Sequence, residues 1–284
     1  MKKIFAALMA LTVLLTLTAC GTKKAEPEKT EQPSRQETQP ETLPELSPAE
    51  PVELPAERVE GRRPEGEYDL PDEVTSMLDW QWSGAVALLA EEDGAEFYAV
   101  EGKESSIALL YWDGVWGEFD WLFVTPRAID PQLWVTDIDE DGEDELVVLC
   151  YGGSGTGVSL EYLYVVEREG KTLVSYELPL GTLSQALNGQ LQTVSDNGTV
   201  YAALGRELVD LSAVLEGVEA KNVKACLGAI ADYEPVEGGI AARFGVALEG
   251  DGIAYLALYG ADVAGTVRYA DGVFTLEDLH LLSN

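Results

Sequence analysis

Apolar stretches of strand length, separated by turn residues, recur from about residue 85 to the end of the chain. Short runs of this kind between Gly, Asp and Asn turns are typical of β-strands. The predicted strands cover 85–90, 107–112, 133–136, 146–151, 160–167, 173–178, 191–194, 199–204, 223–233, 240–248, 253–259, 266–269 and 273–276. Several are joined by pairs that favour positive φ, as hairpins require: Asp113-Gly114, Asn197-Gly198, Asp251-Gly252 and Asp271-Gly272.

This pattern predicts a mainly β domain over residues 71–284, built from antiparallel sheets and hairpins in a sandwich-like or partial-propeller-like arrangement. Helical periodicity is scarce. We expect only short helices, at 71–79 and at 183–187. A seam near residue 180 would divide the domain into two subdomains.

Residues 20–70 differ in composition from the rest of the chain. They are rich in Glu, Pro, Thr and Gln and almost free of aromatic side chains. Such a segment buries too little apolar surface to offset its ordering entropy. It is therefore predicted to be a disordered, extended linker that precedes the β domain.

Residues 1–19 have the pattern of an export signal. Lys2 and Lys3 precede a short apolar stretch, residues 4–17, and small residues follow it. The apolar stretch is too short for a membrane span and suits a signal peptide.

The end of this signal, Leu17-Thr18-Ala19-Cys20, resembles the lipobox of bacterial lipoproteins. The resemblance implies cleavage before Cys20 and attachment of lipid to its thiol. The protein would then be held on the outer face of the bacterial cytoplasmic membrane, at the cell surface, with the membrane as its partner through that lipid. The alternative is an ordinary secretory signal with a chance cysteine.

The formal net charge of −33 argues against nucleic acid as a partner and against adhesion to anionic headgroups. It favours the attraction of cations. The two other cysteines, Cys150 and Cys226, lie in strand-like apolar contexts. They could pair, but two buried free thiols are the simpler interpretation.

One nine-residue segment, 137–145, is the candidate for a cation-binding site. Seven of its residues are acids: Asp137, Asp139, Glu140, Asp141, Glu143, Asp144 and Glu145. So much like charge in one loop resists compaction unless a cation neutralises it. Alternation offers oxygen ligands at the three aspartates, and Gly142 permits a sharp turn after them.

An EF-hand is excluded, because Val148 stands where its bidentate Glu would be and the flanks look like strands. The spacing instead resembles the calcium loop of FG-GAP repeats, also called VCBS or integrin-α-type repeats, in which a strand leads in and a strand leads out. The resemblance implies a structural Ca²⁺ held by the side chains of Asp137, Asp139, Asp141 and Glu145 and by the backbone carbonyl of Glu143. The alternative is a solvated turn without metal.

The longer stretch from 133 to 179 is similar to a group of lipoproteins from Gram-positive gut-type bacteria to which no activity is assigned. It includes the glycine-rich segment 152–157. This segment lacks the Gly-Lys-Ser/Thr ending of a phosphate loop and the spacing of a nucleophile elbow. A flexible or bulged strand connection is the expected structure there.

No catalytic residues are predicted, since His280 is the only histidine and has no companions. We expect a non-enzymatic, calcium-stabilised module that binds an unknown cell-wall, glycan or protein ligand. The alternative is a carbohydrate-binding or carbohydrate-active protein that uses an aromatic cluster, although core packing is the simpler role for these rings. The cluster comprises Trp80, Trp82, Trp112, Trp116, Trp121 and Trp134. A hydrolase with unrecognised residues is the third hypothesis.

Overall fold

The computed structural model describes residues 46–64, 86–101, 106–123, 131–236, 238–254 and 258–284. Several predictions fall outside these ranges: the signal peptide 1–19, Cys20, most of the linker, the helix at 71–79, Trp80 and Trp82. None of the described helices is long and apolar enough to cross a membrane.

The described residues are mainly β, with antiparallel sheets and two short helices, as predicted. The strands in chain order are β1 (Val52–Pro55), β2 (Arg58–Glu60), β3 (Val86–Glu92), β4 (Ala95–Glu101), β5 (Ser106–Trp112), β6 (Val115–Phe119), β7 (Gln132–Thr136), β8 (Glu145–Gly155), β9 (Val158–Glu169), β10 (Thr172–Glu177), β11 (Leu191–Asp196), β12 (Thr199–Leu204), β13 (Glu207–Asp210), β14 (Lys221–Val236), β15 (Gly239–Asp251), β16 (Tyr259–Ala270) and β17 (Val273–Ser283). The helices are α1 (Leu180–Gln190) and α2 (Ser212–Leu215).

The largest sheet has ten strands and curls into a half-barrel. Its strand order is β1-β17-β16-β15-β14-β9-β10-β2, and β8 and β7 branch from β9. The neighbours are antiparallel except β9 and β14, which pair in parallel over three residues. A second sheet is the meander β3-β4-β5-β6, and a third contains β11, β12 and β13.

Strand β8 is buried on both faces, which explains its unbroken apolar run. Val147 and Leu149 belong to the core enclosed by the half-barrel. Leu146, Val148 and Cys150 point the other way, into a second core shared with the β3–β6 meander. Successive strand residues alternate between faces, so only a strand covered on both sides needs apolar residues throughout.

Residues on both sides of position 180 share one core. Leu183 and Leu187 of α1 pack in the same cluster as Val147, which precedes them, and Val263, which follows. The described residues from 46 to 284 belong to one compact unit. The expected division near residue 180 is therefore wrong: α1 connects two parts of one domain because its apolar side is needed to close the half-barrel core.

The predicted end of the linker at residue 70 is also wrong, because β1 and β2 lie within it. In β1, Val52 and Leu54 are buried, and Leu54 pairs with Phe274 of β17. In β2, Val59 pairs with Ser175 of β10. The alternation in so short a segment is hidden by the surrounding prolines and acids, which dominate any estimate from composition.

Turn chemistry is mostly as predicted. Both residues have positive φ at Asp113-Gly114, Asn197-Gly198 and Asp271-Gly272, which close the hairpins β5–β6, β11–β12 and β16–β17. A further turn of this kind, Asp93-Gly94, joins β3 to β4. Such turns match the twist of the strands that they connect.

The predicted hairpin at Asp251-Gly252 is wrong. Asp251 pairs with Lys221 and remains extended, and the next strand among the described residues, β16, begins at Tyr259. The predicted strand start at Ile253 is likewise wrong, because the Ile253 amide donates to the carbonyl of Gly250 at 3.1 Å in a turn. Pairing with β14 thus outweighs the local preference for a two-residue hairpin.

Candidate metal centre

The acidic loop, residues 137–144, connects β7 to β8. Thr136 pairs with Glu145 at its base, so the two antiparallel strands hold its ends together. Within it, Glu140 has φ 63° and Gly142 has φ 94°, which lets the chain reverse within a few residues. A strand therefore enters and a strand leaves, and the flanks differ from the helices of an EF-hand.

Three aspartate side chains of the loop accept hydrogen bonds from its own backbone. Asp137 Oδ2 accepts from the Gly142 amide at 3.0 Å, and Asp139 Oδ1 accepts from the Asp141 amide at 3.2 Å. Asp141 Oδ1 in turn accepts from the Glu143 amide at 2.8 Å. These bonds turn several carboxylates inward although most of the loop is exposed.

Glu145 is the buried member of the group, with 4 % of its surface exposed. Its Oε2 accepts from the Ile138 amide at 3.0 Å. Asp137, Asp139 and Glu145 each bring a carboxylate oxygen within 4.8 Å of the others. Burial, together with the charges of the nearby aspartates, raises the pKa of Glu145 to about 7. Burial also raises the pKa of Asp139.

The donor set fits calcium by its chemistry. Three hard carboxylate oxygens are the ligands that Ca²⁺ prefers, at about 2.3–2.6 Å from the ion. Two oxygens on opposite sides of the ion would lie roughly 5 Å apart, and the spacing within 4.8 Å satisfies that limit. A buried carboxylate beside two others is costly unless a cation compensates the charge.

The structure brings together three of the predicted side-chain ligands, Asp137, Asp139 and Glu145, and leaves Asp141 outside the group. Asp141 is exposed, with one oxygen used by the Glu143 amide. The Glu143 side chain is exposed as well. The role of the Glu143 carbonyl stays a prediction.

A wider acidic cavity that was not predicted from the sequence lies beside the loop and has a volume of about 770 Å³. Its additional carboxylates come from three hairpin turns and from β9: Asp93, Asp113, Asp271, Glu167 and Glu169. The three aspartates each occupy the positive-φ position of an Asp-Gly turn. That repeated pair was the available signal, but only the packed fold brings the turns to one place.

One basic residue, Arg168, stands among the described residues that line this cavity. Its guanidinium lies 3.1 Å from Asp113 and 5.9 Å from the centre of the Trp112 ring. A single partly exposed ion pair does not neutralise so many acids. The cavity therefore adds a negative field to the loop, which attracts small cations.

Two of the four described tryptophans fill the interior. Trp112 and Trp121 are buried in the core between the meander and β8–β10. Trp121 stacks on Tyr164 with ring centres 4.2 Å apart, and its indole N–H donates to Ser175. Trp116 and Trp134 are half-buried. Because Trp112 and Trp121 are buried, their rings are not available to stack on a sugar.

The glycine-rich segment is a bulged hairpin, as expected. β8 has a bulge between Tyr151 and Gly153, and Gly157, with φ 70°, lies in the turn to β9. A Cβ on Gly152 would lie 2.3 Å from the Tyr162 ring, so close packing requires glycine there. Cys150 and Cys226 are free; Cys150 is buried and Cys226 half-buried.

Comparison of the chain with protein-family models, with curated proteins and with solved structures gives no match. Among the described residues, the one group of three or more potential metal-ligating side chains is Asp137, Asp139 and Glu145. This group, with the acidic cavity beside it, is the candidate functional site.

Proposed function

We propose that this chain is a membrane-anchored extracytoplasmic lipoprotein whose β domain is stabilised by calcium and acts as a non-enzymatic binding module. Lipid on Cys20 holds it at the outer face of the membrane. A Ca²⁺ ion in a loop of the FG-GAP type is bound by Asp137, Asp139 and Glu145, with Asp141 and the Glu143 carbonyl completing its shell. The ion's role is structural.

The observation that carries the calcium proposal is the burial of Glu145 beside two other carboxylates. Without a cation, folding would gather three like charges and remove one of them from water. With Ca²⁺ the same oxygens become ligands, and the ion joins the end of β7 to the start of β8. Asp141 lies outside this group, and its exposed carboxylate is proposed to turn toward the ion when calcium binds.

Calcium titration calorimetry on the full chain tests this proposal. We expect one ion per chain with a Kd of about 10⁻⁴ to 10⁻³ M, the range of extracellular calcium modules. The double variant D139A/D141A is expected to abolish the binding heat, whereas D144A, an exposed neighbour outside the proposed shell, retains it. Absence of binding to the unaltered chain up to about 10 mM Ca²⁺ contradicts the proposal.

The anchor is tested separately in cells. A radiolabelled fatty acid is expected to be incorporated into the protein and to be absent from the C20A variant, which should also keep its signal peptide and migrate as a larger species on a denaturing gel. The lipid anchor is wrong if the unaltered protein takes up no label, or if C20A is labelled and processed like it.

A further inference from the structure

Residues 46–62, here named the strap, connect the two edges of the ten-stranded sheet. The strap contains β1, which stands at one end of the strand order, and β2, which stands at the other. Only Ala56 and Glu57 separate the two strands, and a connection this short spans at most roughly 11 Å. The strap therefore holds the two edges of the half-barrel close together.

The start of the strap is fixed to α1 and to the turn between β12 and β13. The Glu50 amide donates to Gln190 Oε1 at 2.8 Å, and Gln190 Nε2 donates to the Glu50 carbonyl at 2.9 Å. A Cβ on Gly205, in the turn, would lie 2.3 Å from the Ala49 nitrogen. The strap is therefore packed closely against the sheet of β11, β12 and β13.

The end of the strap connects the half-barrel to the meander. The Gly61 amide donates to the Leu173 carbonyl of β10 at 2.8 Å. Arg62 then exchanges two backbone hydrogen bonds with Glu118 of β6, at 2.9 and 2.8 Å. A Cβ on Gly61 would lie 2.7 Å from the Phe119 ring, so the backbone fills the space between the two sheets. The strap thus contacts all three described sheets.

The strap is nevertheless attached less deeply than the strands that it connects. Val52 and Leu54 are its two buried side chains, and both belong to the half-barrel core. All three residues of β2 are exposed. Segments with few buried apolar contacts can open while the rest of a protein stays folded. The core between the meander and β8–β10 contains no strap residue, so it can stay packed when the strap detaches.

Two arginines hold the strap from outside. Arg58 pairs with Glu169 at 2.7 Å, and Arg62 donates two hydrogen bonds to Asp120. All four side chains are partly exposed, and ion pairs of this kind stabilise weakly. Glu169 also lines the acidic cavity. The strap therefore places one positive charge at the rim of the candidate site.

We propose that the strap is a latch that opens as one unit, ahead of the rest of the domain, when the chain before it is pulled. The inference rests on the proposed anchor at Cys20, because a load between the membrane and the domain reaches the strap first. Opening exposes the pairing edges of β10 and β17. It also removes Arg58 from Glu169, which makes the rim of the acidic cavity more negative.

Optical-tweezers unfolding of the chain from Cys20 to Asn284, with one handle at each end, tests the latch. We expect a first step at low force that frees the strap, roughly 60 Å of extended chain. The unfolding of the two packed cores should follow at higher force. Unfolding of the whole domain in a single step overturns the proposal.

The arginine contacts are tested with a matched pair of variants. R58A/R62A should lower the force of the first step and leave the later unfolding unchanged, because neither side chain is buried. R243A is the control, since Arg243 makes ion pairs with Asp232 and Asp262 outside the strap. It should leave the force of the first step unchanged. Equal first-step forces in R58A/R62A and R243A contradict the opening of the strap as one unit.

A reversible crosslink between the strap and β17 identifies the first step. Glu53 and Thr275 are directly paired, and paired Cα atoms of antiparallel strands lie about 4.5–5.5 Å apart, within the range of a disulfide. The oxidised E53C/T275C variant should therefore lose the first step, and a reductant should restore it. A first step that persists in the oxidised variant overturns the proposal.

The latch and the anchor can fail separately. A protein that takes up no fatty-acid label in cells refutes the anchor, whatever its unfolding under force. A labelled protein that unfolds in a single step refutes the latch and leaves the anchor standing.

Discussion

Glu145 is the residue on which the site's electrostatics depend. Burial raises its pKa from the usual 4.5 to about 7. In the calcium-free chain, Glu145 is therefore protonated in the folded state and ionised in the unfolded state at pH values between 4.5 and 7. The resulting stabilisation is full below pH 4.5 and is lost as the pH rises through about 7.

We therefore predict that in EGTA the free energy of unfolding falls by up to about 3 kcal/mol between pH 4.5 and 7.5 through this group. Urea titrations across this pH range measure the fall. E145Q should remove this part of the pH dependence, whereas E143Q, an exposed neighbour, should retain it. An identical pH profile in E145Q would show that Glu145 does not carry the effect.

Tyr259 occupies the space beside Gly228. Its hydroxyl donates to the Gly157 carbonyl at 2.6 Å and accepts from the Ala229 amide at 3.0 Å, so it links the β8–β9 turn to β14. A Cβ on Gly228 would lie 2.3 Å from that hydroxyl oxygen. The ring cannot move away without breaking these bonds.

G228A should accordingly lower the free energy of unfolding by about 1–3 kcal/mol, the usual cost of overpacking. Thermal or urea unfolding measures the change. G155A is the matched control, because its Cβ would meet nothing within 4 Å, and it should change stability little. A stability of G228A equal to that of G155A would contradict the close packing described.

At the scale of the elements, sequence periodicity located most of the strands after residue 106, as well as α1. It identified β8 by its unbroken apolar run, because double-sided burial requires one. It missed β2, whose three residues are all exposed and so carry no alternation. It also missed the acidic cavity, because Asp93, Asp113 and Asp271 are far apart in sequence and meet only after the sheets pack.

Strand β1 gives a test of where the folded domain begins. Leu54 is fully buried against the half-barrel core. L54A should lower the free energy of unfolding by about 2–5 kcal/mol, through lost burial and the remaining cavity. E53A, at an exposed position of the same strand, should change it by less than about 0.5 kcal/mol. Equal stability of the two variants would show that β1 belongs to the linker and not to the folded domain.

At the scale of the molecule, two packed cores share the strands β8, β9 and β10, and the acids are carried on the connections outside them. The loop of residues 137–144 and three Asp-Gly turns gather at one place on this framework. A chain with a net charge of −33 gains most from a cation where its carboxylates are closest and least hydrated. Calcium in the loop would thus stabilise the whole domain, since β8 contributes to both cores.

Thermal unfolding of the full chain in about 5 mM CaCl₂ and in EGTA tests this central claim most directly. With a Kd of about 10⁻⁴ to 10⁻³ M, binding adds roughly 1–2 kcal/mol and raises Tm by roughly 2–9 °C. D139A/D141A should melt at the same temperature in both solutions, and D144A should behave like the unaltered chain. An unaltered chain with the same Tm in calcium and in EGTA would contradict the account.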